Sequence, residues 1–88
     1  MENKVKYTGD KESFKKVFHD HLDKVIAGEI VDFEIENISS ATFCEIAECE
    51  ANDFNGWQCD WWGSFSYNNH VFSAAGCAWY ATVGIGLQ

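Results

Sequence analysis

A regular run of mainly apolar residues near the N-terminus is the feature that most restricts the fold of this 88-residue chain. Its members recur at i, i+3, i+4, i+7, i+8, i+11 and i+12: Phe14, Val17, Phe18, His21, Leu22, Val25 and Ile26. Because an α-helix makes one turn in 3.6 residues, this spacing puts them all on one helix face. Asp10 precedes the run as a candidate N-cap, and Gly28 follows it where helices often end. The sequence therefore predicts an amphipathic helix over residues 11–27.

Alternation of apolar and acidic residues replaces this pattern within residues 29–38. Apolar Val31, Phe33 and Ile35 alternate there with Asp32, Glu34 and Glu36. A period of two predicts a half-buried strand with one apolar and one acidic face. Residues 4–7 are typical of a short first strand at the edge of a sheet.

Further strands are predicted in the second half of the chain. Residues 57–67 alternate in the same way, and the dipeptide 68–69, Asn-Asn, can form a tight turn. The uncharged segment 71–87 is long for one strand, so we expect a bulge or bend near Gly76 or a break at Gly84. This segment is too short, too rich in small residues and too poor in basic flanks for a membrane span.

Segment 42–51 is ambiguous. Its Thr, Phe, Cys and Ile residues favour a strand, whereas its Ala and Glu content and a capping Ser40 favour a helix. The strand is slightly favoured, because residues 52–56 form a natural hairpin connection to the next strand. If that hairpin forms, Cys49 and Cys59 lie opposite each other.

The elements together predict an α+β fold. One helix packs on an antiparallel sheet of four or five strands in a β-α-β-β-β-β meander, with 42–51 as a second helix in the alternative. With 88 residues the chain is long enough for one hydrophobic core, so we expect a single domain over residues 1–88.

Charge is distributed unevenly along the chain. The net charge is −8, yet all six lysines precede residue 28 and no arginine is present. Residues 29–60 contain nine acidic side chains and no basic one, and residues 61–88 contain no charged side chain. Such a chain repels nucleic acid and anionic membranes and attracts basic protein surfaces. With no apolar secretory segment at the N-terminus, we expect a cytoplasmic protein.

The candidate partner-binding residues are acidic or aromatic. An acidic strand face has carboxylates about 6.6–6.8 Å apart and resembles the phosphate rows that basic proteins bind. Neighbouring Trp61 and Trp62 must point to opposite faces of a strand, so one of them is expected at the surface. The predicted binding residues are Asp32, Glu34, Glu36, Glu45, Glu48, Glu50, Asp53, Asp60, Trp57 and Trp62.

Catalytic and metal-binding motifs are not evident in the sequence. The four cysteines have none of the short spacings typical of zinc ligands, and we expect no cofactor. His70 and Cys77 are the one candidate base and nucleophile close in sequence, without an evident orienting acid. We therefore expect a protein that is not an enzyme.

The leading hypothesis is a small acidic inhibitor that blocks a basic, nucleic-acid-binding protein as a nucleic-acid mimic. Phages use proteins of this kind against host restriction or CRISPR defence. One alternative is an immunity protein for a basic toxin. Another is a homo-oligomeric or ligand-binding module that uses its aromatic sheet face.

Overall fold

Two α-helices lie on one side of a six-stranded sheet in the computed structural model, which describes residues 3–56 and 60–88. The elements are β1 Lys4–Lys6, α1 Lys11–Ile26, β2 Asp32–Glu36, α2 Ser40–Ala47, a 3-10 turn Ala51–Asp53, β3 Phe54–Asn55, β4 Asp60–Tyr67, β5 His70–Cys77 and β6 Thr82–Leu87. The strand order across the sheet is β1-β2-β6-β5-β4-β3. The α+β class is confirmed, with one strand more than expected. The predicted meander is wrong, because β6 returns to lie between β2 and β5.

Helix α1 forms where the apolar spacing predicts it. The Asp10 carboxylate accepts hydrogen bonds from the backbone N–H of Glu12 (3.1 Å) and Ser13 (3.4 Å), which caps the first turn. Gly28 has a φ of +79° just beyond the last turn, a conformation that glycine adopts without strain. In the described part of the chain, no helix is both long enough and apolar enough to cross a membrane.

Helix α2 occupies the segment for which a strand was slightly favoured, so that preference is wrong and the helical alternative is right. The Ser39 hydroxyl accepts a hydrogen bond from the backbone N–H of Thr42 (3.2 Å) and caps the helix. Phe43 and Ile46, three residues apart, are both buried on its inner face. The cap and this buried pair outweigh the strand preference of the local residues.

The uncharged segment 71–87 reverses direction at residues 78–81 and forms the β5–β6 hairpin. The predicted break at Gly84 is wrong, since that glycine lies in a regularly paired strand. The bend expected near Gly76 is a full reversal of the chain that begins two residues later. Gly76 has a packing role: a Cβ atom there would lie 2.4 Å from the Trp61 ring. The turn uses Ala81 at a φ of +49°, and the Ala81 carbonyl accepts a hydrogen bond from Ile38 N–H (2.8 Å).

The other connections set the strand directions. Asn68 and Asn69 have φ angles of 50° and 64°, so the predicted Asn-Asn turn joins β4 to β5. Strand β1 pairs in parallel with β2, whereas the remaining neighbours are antiparallel. The parallel pair arises because α1 carries the chain back across the sheet between the two strands.

Aromatic side chains fill the space between the helices and the sheet. The Phe18 ring lies 5.9 Å from the Phe43 ring and 6.0 Å from the Phe65 ring, measured between centroids. The Phe43 ring lies 5.6 Å from that of Trp61, which is 1% exposed. Both helices therefore pack on one side of the sheet. We call the opposite side the open face, because no described helix covers it.

Candidate partner-binding site

The open face is formed by the side chains that alternate with the buried strand residues. Acidic residues of β2 lie on one flank, and Asp60 and Trp62 of β4 lie on the other. The strands between them present small or short side chains: Ser73, Ala75, Cys77, Thr82, Gly84 and Gly86. The centre of the open face is therefore low, and its flanks are raised.

Asp32, Glu34 and Glu36 form the predicted acidic row on β2. Asp32 is exposed, and the other two are half-buried. The parallel pairing places Lys4 beside Glu34 and Lys6 beside Glu36 in register. The strip of β1 and β2 on the open face thus carries three acids and two lysines, so it is less acidic than β2 alone.

Two further predicted residues lie among the helices and away from the open face. Lys15 Nζ lies 2.9 Å from Glu48 Oε1, and this contact lowers the pKa of the Glu48 carboxyl. Lys11 forms an ion pair with Glu45, and the hydrogen bond to Glu45 raises the pKa of Lys11. Glu45 and Glu48 therefore have intramolecular partners and do not join the acidic row.

Glu50 and Asp53 flank the 3-10 turn that leads into β3. Asp53 Oδ2 accepts a hydrogen bond from the backbone N–H of Glu50 at 3.1 Å. Asp53 N–H in turn donates to the Glu50 carbonyl at 2.9 Å. These contacts stabilise the local turn. The predicted contact residue Trp57 lies outside the described residues.

A shallow groove of about 400 Å³ crosses the open face between its two flanks. The groove is lined by Glu34, Asp60, Trp61, Trp62, Ala75, Gly76, Cys77, Thr82 and Gly84. Asp60 and Trp62 are two residues apart on one strand face, roughly 6.7 Å along β4. Glu34 lies three strand spacings from Trp62, or about 14 Å between backbones. Two carboxylates and an indole thus border one concave surface.

Trp62 is the exposed member of the Trp61–Trp62 pair. Its side chain is 55% exposed, whereas that of Trp61 is almost fully buried. The Trp62 ring lies close to Gly56, where an added Cβ would be 3.0 Å from the ring atom Cζ3. The prediction that one of the two tryptophans faces outward is confirmed.

Trp79 and Tyr80 are exposed aromatic residues that the sequence reasoning missed. They lie in the β5–β6 turn and are 79% and 76% exposed. One signal was present in the sequence, because the apolar positions change from even numbers (Phe72) to odd numbers (Val83). That change of phase indicates a reversal between the two, and residues at a reversal project away from the sheet.

Two cysteines, Cys44 and Cys49, lie side by side in the described part of the chain. Cys49 follows α2, and its thiol contacts that of Cys44, while Cys59 lies outside the described residues. Burial, together with the neighbouring Cys44, raises the pKa of Cys49 to about 12. Burial also raises the pKa of Cys44. Both thiols are therefore poor nucleophiles near neutral pH.

His70 and Cys77, the candidate base and nucleophile, begin and end β5. Seven residues of extended chain separate them by roughly 23 Å, so they cannot form a catalytic pair within one chain. Among residues 3–56 and 60–88, no group of three or more His, Cys, Asp or Glu side chains is arranged to hold a metal ion.

No protein-family model, curated protein or solved structure matches this chain. The functional conclusion therefore depends on the geometry and charge of the open face.

Proposed function

We propose that this chain is a non-catalytic binding protein whose open face docks on a basic surface of a nucleic-acid-binding protein and blocks it. One observation carries the proposal. The open face, uncovered by any described helix, brings together half of the ten residues predicted to bind a partner: Asp32, Glu34, Glu36, Asp60 and Trp62.

The net charge of the chain favours a partner with a basic surface. The net charge of −8 attracts lysine- and arginine-rich surfaces over several ångströms and repels nucleic acid. Proteins that bind nucleic acid present such surfaces, because phosphate contacts supply much of their affinity. A small acidic protein seated on that surface competes directly with the nucleic acid.

The dimensions of the molecule are adequate for a specific interface. It measures 33 × 25 × 25 Å, so one side offers roughly 600–800 Å². A standard interface takes about 800 Å² from each partner. The open face is the preferred side, because the acids Glu45 and Glu48 of the helical side are already paired with lysines.

Affinity capture from a bacterial lysate tests the proposal. The wild-type protein is compared with the open-face variant Asp32→Asn/Glu34→Gln/Asp60→Asn. Three acids outside the open face supply a control variant with the same change in charge, Glu12→Gln/Asp20→Asn/Glu29→Gln. We expect the wild type and the control to retain a nucleic-acid-binding protein that added DNA or RNA displaces, and the open-face variant to lose it. Equal retention by all three proteins, or no nucleic-acid-binding protein retained, would overturn the proposal.

Self-association through the hairpin tip is the second candidate, and the exposure of Trp79 and Tyr80 favours it. Aromatic self-association persists at high ionic strength, whereas electrostatic docking weakens. Sedimentation at 0.05 M and 1 M salt distinguishes the two. An immunity protein for a basic toxin would use the same open face, so the identity of the captured partner separates that alternative from an inhibitor of host proteins.

A further inference from the structure

We infer that the groove on the open face is an arginine site: it holds an arginine side chain of the basic partner, stacked on Trp62 and hydrogen-bonded to Asp60. This inference rests on the proposed function and specifies which basic residue the open face selects. Three features of the groove support it: its floor, its aromatic wall and its carboxylates.

The floor of the groove admits an incoming side chain. Ala75 and Gly84 are neighbours in register between the two flanks, and neither projects beyond a methyl group. A Cβ placed on Gly84 would approach no atom more closely than 3.8 Å, so the space above that residue is open. A long side chain can therefore lie against the sheet at this point.

The aromatic wall suits a flat cation. More than half of the Trp62 surface is accessible, and an atom of its ring lies close to Gly56. Trp is the strongest of the aromatic side chains for contact with a cation above its ring. The planar guanidinium of arginine stacks on such a ring, whereas the ammonium of lysine interacts as a point charge.

Carboxylates lie at both sides of the same groove. Asp60 precedes Trp62 by two residues on one strand face, so its carboxylate is within reach of a guanidinium stacked on the indole. Glu34 borders the groove from β2. No described lysine or histidine forms an ion pair with Asp60 or Glu34, so both carboxylates are available to a partner's cation.

Defined peptides test the inference without the natural partner. The full chain is titrated with hexa-arginine and with hexa-lysine at 0.15 M salt, and the indole NMR signals and Kd are recorded. Hexa-arginine should bind about 3- to 30-fold more tightly than hexa-lysine, which is the range expected of a cation–aromatic contact. The Trp62 indole signal should shift most.

Two variants and one control locate the site. Trp62→Ala should remove the preference for arginine. Gly84→Val should lower the affinity for both peptides, because valine fills the groove without changing the charge. Trp79→Ala is the control, because that tryptophan is even more exposed and lies outside the groove. NMR spectra of each variant verify folding.

The outcomes separate this inference from the proposed function. The arginine site alone would be overturned if the wild type bound the two peptides with equal affinity, or if Trp62→Ala and Trp79→Ala reduced the preference for arginine equally. This holds provided that Glu34→Gln/Asp60→Asn still abolishes peptide binding. If the wild type binds neither peptide, the arginine site and the proposed basic partner are both overturned.

Discussion

Gly76 shows how closely the core is packed against the sheet. An added Cβ atom would lie 2.4 Å from the Trp61 ring and 2.7 Å from the Thr82 carbonyl oxygen. We expect Gly76→Ala to lower the free energy of unfolding by about 1–3 kcal/mol, because the buried indole has no room to move. Gly84→Ala is the matched control on the neighbouring strand, and it should stay within about 0.5 kcal/mol of wild type. Urea denaturation measures both, and equal midpoints would contradict the packing described.

The Cys49 thiol makes the free energy of unfolding depend on pH in the alkaline range. Its pKa of about 12 in the folded chain exceeds the ordinary value of 9.0, so folding favours the protonated thiol. The resulting stability is fully present below about pH 9 and is lost as the pH rises towards 12. Urea midpoints between pH 8 and 11 should fall more steeply for wild type than for Cys49→Ser. Parallel plots of urea midpoint against pH for the two proteins would show that the Cys49 thiol does not contribute to this pH dependence.

The positions of individual side chains were only partly predictable. Alternation alone shows that Trp61 and Trp62 occupy opposite faces, and the structure confirms this. Which of them is buried depends on the side that the helices cover, and the alternation of the Trp61–Trp62 pair alone leaves that choice open. The groove was unpredictable from local sequence, since Glu34 and Trp62 come to border it only through strand pairings distant in sequence.

The length of an element, and the residues that cap it or form its turns, decided whether it could be predicted from the sequence. Helix α1 has sixteen residues, so its apolar period is repeated often enough to be recognised. Helix α2 has eight residues and one buried pair at helical spacing, Phe43 and Ile46, which a strand preference can mask. The β5–β6 turn lacks Gly, Asn and Pro, the residues by which turns are usually recognised.

The N-cap of α2 can be tested with adjacent serines. The Ser39 hydroxyl caps the helix, whereas Ser40 is its first residue, although the sequence suggested Ser40 as the cap. We expect Ser39→Ala to reduce the free energy of unfolding by about 1 kcal/mol. Ser40→Ala should change it by less than about 0.5 kcal/mol. Thermal denaturation followed by circular dichroism measures the difference, and a larger loss in Ser40→Ala would reverse the assignment.

The tip of the β5–β6 hairpin should be dispensable for folding. Trp79 and Tyr80 bury little surface, so Trp79→Ala and Tyr80→Ala should each change the free energy of unfolding by no more than about 0.5 kcal/mol. Trp61→Ala, at a buried tryptophan, should cost about 3–5 kcal/mol. Chemical denaturation of the three variants checks this, and a marked loss in either tip variant would show that the tip packs on the chain.

At the scale of the whole molecule, folding redistributes the charge that is segregated along the sequence. Lysines from the first quarter of the chain lie beside acids from its middle: Lys4 beside Glu34 in the sheet, and Lys15 beside Glu48 between the helices. The sequence correctly predicted a strand with an acidic face. It did not predict the adjacent lysines, because a parallel neighbour cannot be identified from alternation alone.

The lysines of β1 should moderate the affinity for basic ligands. Replacing both, Lys4→Gln/Lys6→Gln, removes two positive charges next to Glu34 and Glu36 and should tighten hexa-arginine binding about 2- to 5-fold. Lys16→Gln/Lys24→Gln makes the same change in net charge on α1 and should have a smaller effect. Calorimetric titration with hexa-arginine compares the affinities of the two double variants. Equal effects would mean that net charge alone, and not the open face, governs binding.

The place of β6 in the sheet has a consequence for synthesis of the chain. β6 is the last of the described strands to be translated, yet it lies between β2 and β5 and joins the two halves of the sheet. Until residues 82–87 leave the ribosome, β1 and β2 have no hydrogen-bonded link to β3, β4 and β5. Folding of this sheet is therefore completed after translation of β6, and cannot proceed strand by strand from the N-terminus.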